Sequence, residues 1–392
     1  MPHNLTELRT QNSELRTQNS ERQSNFELLR IFAMFLIILH HLNQHGIWFA
    51  PNSPKTINFF LSKCTLGWTG QLGNWLFILT SGYFLSKSKF TLKKAFKIWF
   101  CVLSISVIIG TVLFVSKVKL IGFSNTNYGP LGFFAAANPM TVKDLIRSFL
   151  PTLFANNWFA SAYIVFFFFV PFLNCTLEKL DEKKHKNLII TMLIFGSIIT
   201  MIPGQKLFKE GSLFYFLLGY YISTYIRLYN PKFLNFQKTN IIFSLIGMFL
   251  MVIWIFLVMK FIPKFVDENS KIFKSILYYP FGSLNRIPLL IIAIFIFSFF
   301  KNLNVKSNKI INLIASTTFG VYLIHENLLL NKIIWHRFFK FDEWVNSPLL
   351  FLYMIAAVIV TFTCCSILDI IRQKIIENPA MKLYDIVKDR NA

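Results

Sequence analysis

The chain has 392 residues, of which 54% are hydrophobic, 46 are phenylalanine and only 15% are charged. A soluble globular protein of this length does not have this composition. The formal net charge of +22 would suit a nucleic-acid partner, but the basic residues lie in short loops between apolar segments. That distribution is typical of a membrane protein, so we expect membrane lipids and no nucleic acid as partners.

Ten apolar segments are long enough, or nearly so, to cross a hydrocarbon layer of about 30 Å. They are residues 26–48, 68–86, 95–116, 157–174, 187–203, 211–229, 239–261, 286–300, 310–333 and 347–371. An even number puts both termini on one side, and with the termini inside, the inner segments hold 24 of the 40 Lys and Arg residues. The predicted fold is therefore an all-α, polytopic bundle of about ten transmembrane helices with both termini cytoplasmic.

The polar N-terminus contains an internal repeat, because residues 13–19 copy residues 6–12 apart from the first position. The copies share too few apolar positions for a coiled coil. We predict a disordered cytoplasmic tail over 1–25, a transmembrane domain over 26–380 and a short cytoplasmic tail over 381–392. The five cysteines have no metal-like spacing, and no phosphate-binding loop or nucleophile elbow is present, so we predict no metal.

The first apolar span carries polar residues that membrane helices rarely keep without a function. Arg30 and His41 are eleven positions apart, which is about three turns, so they share one face and lie about 16 Å apart along the axis. His40 points about 100° away from that face, and Glu27 can pair with Arg30 one turn on. A plainer alternative is that Arg30 is an inner anchor and a histidine caps the outer end.

Several short motifs occur in an order that resembles the bacterial membrane acyltransferase 3 family, which includes polysaccharide and lipopolysaccharide O-acetyltransferases. The first is the arginine, ten residues, then histidine of the first span. The others are residues 77–85 (Phe-Ile-Leu-Thr-Ser-Gly-Tyr-Phe-Leu), 94–97, 158–163, 171–174, 319–325 and 368–379. The resemblance covers about residues 25–380. Lys94 and Lys97 replace two arginines of the family pattern, which keeps the charge but loses bidentate phosphate geometry.

The resemblance implies an acyltransferase of the single-domain type in the bacterial cytoplasmic (inner) membrane. Its donor would be acetyl-CoA or another short acyl-CoA, and its acceptor a hydroxyl of a surface glycan, such as capsule or lipopolysaccharide, or of a lipid-linked precursor. Acetyl is the default acyl group, and succinyl is also open. The acceptor sugar is not indicated.

Roles follow for the residues that match. His41 would be the general base, with His40 as the fallback, and the sequence does not separate this from a covalent acyl-histidine. Arg30, Lys94 and Lys97 would hold the phosphates of the donor, and Glu27 would orient or neutralise Arg30.

Other polar residues have two interpretations each. Ser81 and Tyr83 either line the donor tunnel or serve helix packing. Trp158 and Tyr163 either line the acceptor groove or belong to the aromatic belt at the membrane interface.

Polar residues near the ends of the later spans are also ambiguous. His325 and Glu326 either contact the acceptor sugar or form a polar cap at the outer end. Asp369 and Arg372 are most simply a structural ion pair. Arg286, near an outer mouth, could meet an anionic glycan.

Two other function classes share the many spans and the intramembrane charges. A transporter or flippase of lipid-linked glycan would be expected to show a repeat between its halves, and we find none. A glycan polymerase usually places its charges in one large outer loop, unlike the pair in this first span.

Overall fold

The computed structural model describes residues 23–47, 57–121, 137–154, 157–202, 211–267 and 270–390. The repeat of the predicted N-terminal tail therefore lies outside the described residues. The first helix already begins at Ser24.

The described chain is almost entirely helical. The α-helices are α1 (Ser24–His41), α2 (Ile57–Leu66), α3 (Thr69–Leu85), α4 (Leu92–Val115), α5 (Val142–Phe149), α6 (Trp158–Glu178), α7 (Glu182–Leu193), α8 (Ser212–Tyr229), α9 (Gln237–Phe261), α10 (Lys271–Leu277), α11 (Ile287–Lys301), α12 (Lys309–Ser316), α13 (Thr318–His325), α14 (Phe341–Trp344), α15 (Leu350–Arg372) and α16 (Asn378–Arg390). Wider π-helical turns occupy Leu42–Ile47, Ile194–Ile199, Ile333–Phe338 and Gln373–Glu377, and short 3₁₀ turns occupy Lys232–Leu234 and Ile262–Lys264. A short antiparallel pair, β1 (Lys119–Ile121) with β2 (Ala137–Pro139), was not predicted.

Each of the ten predicted spans contains helix, and among the described residues five helical segments are long and apolar enough to cross a membrane. These are Ser24–Ile47, Leu92–Val115, Trp158–Glu178, Gln237–Lys264 and Leu350–Asp389. Long apolar side chains on α6, α9 and α15 face outward, as expected for helices that contact lipid. The full count of ten crossings and the cytoplasmic termini stay predictions.

The ninth predicted span is not one helix. It is divided at Thr317 into α12 and α13 and ends at His325. The hydroxyls of Ser316, Thr317 and Thr318 donate to the carbonyls three residues earlier at 2.7–2.9 Å. Such side-chain bonds compete with the helical backbone pattern, which explains a break inside an apolar run.

Helix α1 lies at the centre of the bundle, where it packs against α3, α11, α12, α13 and α15. It approaches α3 closely at Gly73, where a Cβ would lie 2.6 Å from Ile37 Cγ1 and 2.7 Å from the Ala33 carbonyl oxygen. The missing side chain at Gly73 therefore lets α3 pack close to the backbone of α1.

Two contacts fix the direction of neighbouring helices. Asn25 at the start of α1 donates to the Phe300 and Lys301 carbonyls at the end of α11. Phe26 packs on Tyr83 and Phe84 at the end of α3. Both helices are thus antiparallel to α1. We call the end that holds Glu27 the Glu27 end and the opposite end the His41 end.

Candidate active site

His41, the last residue of α1, contacts His325, the last residue of α13, from which it is separated by 284 residues. Its Nδ1 lies 2.9 Å from Nε2 of His325. His325 is fully buried, and its Nδ1 lies 2.6 Å from the Val321 carbonyl oxygen. A carbonyl only accepts, so Nδ1 of His325 carries the proton and its Nε2 is the acceptor in the neutral ring.

This assignment fixes the tautomer of His41. Its Nδ1–H donates to His325, which leaves the lone pair on Nε2. That Nε2 makes no hydrogen bond to any residue that the structure describes. The side chain of His41 is 14% exposed. The His41 ring therefore has a basic Nε2, while its Nδ1 is fixed by the hydrogen bond to His325.

Glu326 joins two histidines of the first span. Its Oε2 lies 3.2 Å from Nδ1 of His41, and its Oε1 lies 3.1 Å from Nε2 of His45. His45 lies in the π-helical turn Leu42–Ile47 directly after α1. Such turns are frequent at functional sites, and this one brings two histidines to one carboxylate.

A further histidine supports the π-helical turn. Nε2 of His336 donates to the His45 carbonyl at 2.7 Å, and its Nδ1 lies 3.0 Å from Oδ1 of Asp342. Gly46 lies against Phe341, within 3.4 Å of its ring measured from an added Cβ. The backbone that carries His45 is thus held by packing and hydrogen bonds.

His40 points to a different neighbour from His41. A Cβ added to Gly70 on α3 would lie 2.4 Å from Cγ of His40, so the imidazole covers the first turn of α3. The two adjacent histidines therefore face different helices. Only His41 of this pair lies beside His325 and Glu326.

Arg30 lies on the same face of α1 towards the other end. Its Nη1 donates to Oε2 of Glu27 at 3.1 Å, and its side chain is 28% exposed. Ser81 and the positive charge of Arg30 both lie near the Tyr163 phenol. Three of the predicted site residues are thus neighbours on the side of His41 that leads to the Glu27 end.

Aromatic side chains continue from Tyr163 towards His41. Tyr163 packs on Phe216, which packs on Phe159, and Phe159 packs edge-to-face on Tyr322. The Tyr322 ring centroid lies 6.3 Å from that of His41. Trp158, 40% exposed, contacts Phe159 edge-to-face. The predicted acceptor-groove aromatics therefore adjoin the histidine cluster through a chain of ring contacts.

Tyr83 is placed differently from Ser81. Its ring packs on Phe26, Phe84 and Phe297, and the Arg227 guanidinium lies 4.7 Å above it. Arg227 also donates to the Tyr83 carbonyl. These contacts correspond to the packing interpretation of Tyr83.

The two predicted donor-binding lysines have distinct surroundings. Nζ of Lys94 donates to Ser88 Oγ and the Lys89 carbonyl at 2.8 and 3.0 Å. Lys97 instead lies 3.2 Å from the carboxylate of Glu377, which is buried and also pairs with Arg372 at 2.7 Å. Both lysines are exposed, but Lys97 is paired with a buried carboxylate, whereas Lys94 bonds only a hydroxyl and a carbonyl.

An open cavity of about 430 Å³ lies beside these lysines at the Glu27 end. It is lined by Lys93, Lys374, Asn378, Pro379, Met381, Lys382 and Asp385. Lys93 is paired with Asp385 at 2.6 Å. Because Lys374 and Lys382 also line the cavity, its lining carries more positive than negative charge. This cavity can accept an anionic group.

His41, His325 and Glu326 also offer the kinds of donor atom that zinc prefers. One ligand atom of each lies within 4.8 Å of the others. The 2.9 Å between the two imidazole nitrogens is a hydrogen-bond distance, which fits a shared proton between the rings.

Sequence reasoning did not single out His45, the Val321 carbonyl or His336. A signal for His45 was present, because His41 and His45 are four residues apart and so share a helix face. The Val321 carbonyl is one turn before His325 in the same helix, but its contact depends on the side-chain conformation of His325. No sequence signal points to His336, since it acts on His45 through a contact between distant segments.

Comparison with known proteins gives one match. The model of the acyltransferase 3 family, described as an acyltransferase domain, matches residues 23–369. No curated protein and no solved structure matches the chain. The family model covers nearly the whole chain, including all the residues of the histidine cluster, and the apolar helices fit a membrane protein. The chain is therefore a member of the acyltransferase 3 family and a membrane acyltransferase.

Proposed function

We propose that this protein transfers an acetyl or other short acyl group from acyl-CoA to a hydroxyl of a cell-surface polysaccharide or of its lipid-linked precursor. His41 is the general base. The observation that carries the proposal is the fixed tautomer of His41. Its Nδ1 donates to His325 beside the Glu326 carboxylate, while its Nε2 is left without a hydrogen-bond partner among the described residues.

The reaction is a single displacement in this proposal. Nε2 of His41 removes the proton of the acceptor hydroxyl as the oxygen attacks the thioester carbonyl. The new C–O bond forms, the C–S bond breaks, and the CoA thiolate takes up the proton from His41. The products are the ester and free CoA, and His41 returns to its starting state.

Glu326 and His325 are positioning residues in this scheme. Imidazolium forms on His41 during the attack, and the Glu326 carboxylate at 3.2 Å stabilises that positive charge. His325 accepts the Nδ1 hydrogen and so keeps the ring in the productive orientation. The sugar contact that the sequence suggested for both residues stays a prediction beside this role.

The donor enters from the Glu27 end, which we assign to the cytoplasm. Lys94 and the cavity lysines Lys93, Lys374 and Lys382 supply positive charge for the phosphates of CoA. The pantetheine arm then extends past Arg30, Ser81 and Tyr163 towards His41, about 16 Å along the axis of α1. The acceptor approaches from the His41 end, past Trp158.

The test compares acylation of surface glycan in cells that carry the wild type, His41→Ala or His40→Ala at matched membrane levels. Mass spectrometry and NMR of purified polysaccharide report the acyl group. We expect acylation with the wild type and with His40→Ala, and none with His41→Ala. Undiminished acylation with His41→Ala would remove His41 as the base. No acyl difference between wild-type and empty cells would contradict the proposed glycan acceptor.

A further inference from the structure

Arg286 has no counter-charge in the part of the chain that the structure describes. Its guanidinium lies 5.0 Å from the ring centroid of Tyr279. Its Nε and Nη1 atoms are enclosed by protein, yet neither donates a hydrogen bond. Nitrogens of a permanently charged group are seldom left this way, because removing a cation from water without a partner is costly.

Three other arginines inside the bundle each donate to an acceptor in the chain. Arg30 donates to Glu27, and Arg372 donates to Asp369 and pairs with Glu377. Arg227 donates to the Tyr83 carbonyl. Arg286 has only the Tyr279 ring beside it among the described residues, and two enclosed nitrogens without an acceptor indicate a ligand that supplies the negative charge.

The neighbouring Asn285 has a buried acceptor oxygen that also lacks a hydrogen-bond partner. Asn285 is 4% exposed, and its Nδ2 donates to Oγ1 of Thr200 at 2.7 Å. Thr200 donates in turn to the Gly196 carbonyl at 2.9 Å, so its oxygen must accept from the amide, which fixes the amide orientation. Oδ1 of Asn285 is then left buried without a partner.

Arg286 and Asn285 lie at the start of α11, which has 15 residues and no side-chain cap. The free N–H groups and dipole of a helix N-terminus favour an anion. The segment is held in place because Nε1 of Trp75 donates to the Leu284 carbonyl at 3.1 Å. Donor groups, a positive dipole and a fixed backbone therefore occur together.

The position of this group in the bundle separates it from the donor site. Helix α11 is antiparallel to α1, since Asn25 at the start of α1 bonds the carbonyls of Phe300 and Lys301 at the end of α11. Arg286 thus lies at the His41 end, opposite Lys94 and the cavity lysines. It also lies at the start of an apolar helix, Ile287–Lys301.

We propose that Arg286, with Asn285 and the start of α11, forms a binding site for the phosphate group of a membrane lipid. The guanidinium binds the phosphate oxygens, and Oδ1 of Asn285 accepts from a hydroxyl on the bound molecule. The phosphate belongs either to a polyprenyl phosphate carrier or to a phospholipid headgroup. The carrier alternative rests on the lipid-linked acceptor of the proposed function, whereas phosphate binding at Arg286 is measured without acyl transfer and can fail or hold separately from it.

The experiment measures binding of a polyprenyl phosphate and of the matching neutral polyprenol to the full chain in detergent, by native mass spectrometry. Thermal stabilisation provides a second readout, since a ligand of the folded state raises Tm. We expect the wild type to bind the phosphate at least tenfold more tightly than the alcohol. Arg286→Gln should lose that preference, and Arg286→Lys should keep part of it. Lys274→Gln, which removes an exposed cation from the preceding helix, should keep all of it.

Competition identifies the source of the phosphate. Displacement of the polyprenyl phosphate by phosphatidylglycerol supports a headgroup site, and resistance to phosphatidylglycerol supports a carrier site. Equal binding of phosphate and alcohol by the wild type, or a phosphate preference that survives in folded Arg286→Gln, would overturn the proposal. Tm of each variant without ligand shows whether it is folded, and Arg286→Lys serves as the second variant if Arg286→Gln is not.

Discussion

Nδ1 of His41 lies 2.9 Å from Nε2 of His325, a buried ring whose own Nδ1 is held by the Val321 carbonyl at 2.6 Å. The chain of hydrogen bonds fixes which nitrogen of His41 carries the proton. A general base needs both a free lone pair and a fixed orientation. The contact between these two rings supplies both conditions, and it leads to the first prediction.

His325→Ala should lower kcat for acyl transfer by about tenfold or more, because it removes the acceptor for the Nδ1 hydrogen of His41, a hydrogen bond of about 1.5 kcal/mol or more to a ring that becomes charged. His325→Gln should recover part of the loss, since its amide oxygen can accept the same hydrogen. KM for acyl-CoA should stay unchanged, because the donor phosphates bind at the other end. Equal losses in the Ala and Gln variants, at matched Tm, would count against the positioning role.

Arg30→Ala should raise KM for acyl-CoA by about tenfold, the loss of roughly one charge-assisted hydrogen bond. Arg30→Lys should retain part of the affinity because it keeps the charge. Glu27→Gln should also weaken activity, since Arg30 Nη1 is held by Glu27 at 3.1 Å. Steady-state kinetics with purified protein measures both constants. Full activity of Glu27→Gln would make the proposed role of Glu27 untenable.

Arg372→Ala should lower the free energy of unfolding by about 3–5 kcal/mol, because it leaves the carboxylates of Asp369 and Glu377 buried without their cation. Lys94→Gln is the matched control, since Lys94 is exposed. It should leave stability unchanged and weaken binding of acyl-CoA. Thermal denaturation in detergent provides the comparison, and an unchanged Tm for Arg372→Ala would contradict the charge network.

Gly320→Ala should destabilise the bundle by about 1–3 kcal/mol through overpacking. An added Cβ would lie 2.1 Å from Cγ of Asp369, so α13 must move away from α15 and take His325 with it. Activity should therefore fall together with Tm. Gly211→Ala serves as the control because nothing lies within 4 Å of its added Cβ. A Gly320→Ala protein with wild-type Tm would show that this close approach is wrong.

Removal of divalent metal should leave acyl transfer unchanged. His41, His325 and Glu326 could hold a metal ion by their spacing, but a metal would occupy the nitrogen through which His41 is positioned. The measurement is the initial rate after treatment with EDTA, followed by addition of zinc. A loss with EDTA that zinc restores would favour a metal mechanism over the general base.

The sequence alone determined the class of the protein and the ten apolar segments, each of which contains helix. Apolar runs that match the thickness of a bilayer admit few structures, because each backbone polar group must be satisfied within the lipid. Helical periodicity placed Arg30 and His41 on one face of α1, since that relation depends only on 3.6 residues per turn. The motif order indicated the acyltransferase 3 family, which the family model confirms over residues 23–369.

The tertiary structure decided which distant residues meet. His41 and His325 are separated by 284 residues, and periodicity within each helix cannot give the register between two helices. Packing at Gly70 places His40 against α3, whereas His41 meets His325. The tertiary structure also paired Lys97 with buried Glu377 and left Arg286 without a partner among the described residues. Those outcomes depend on close packing between segments that are far apart in the chain. The local sequence of one segment does not show which contacts with another segment are favourable.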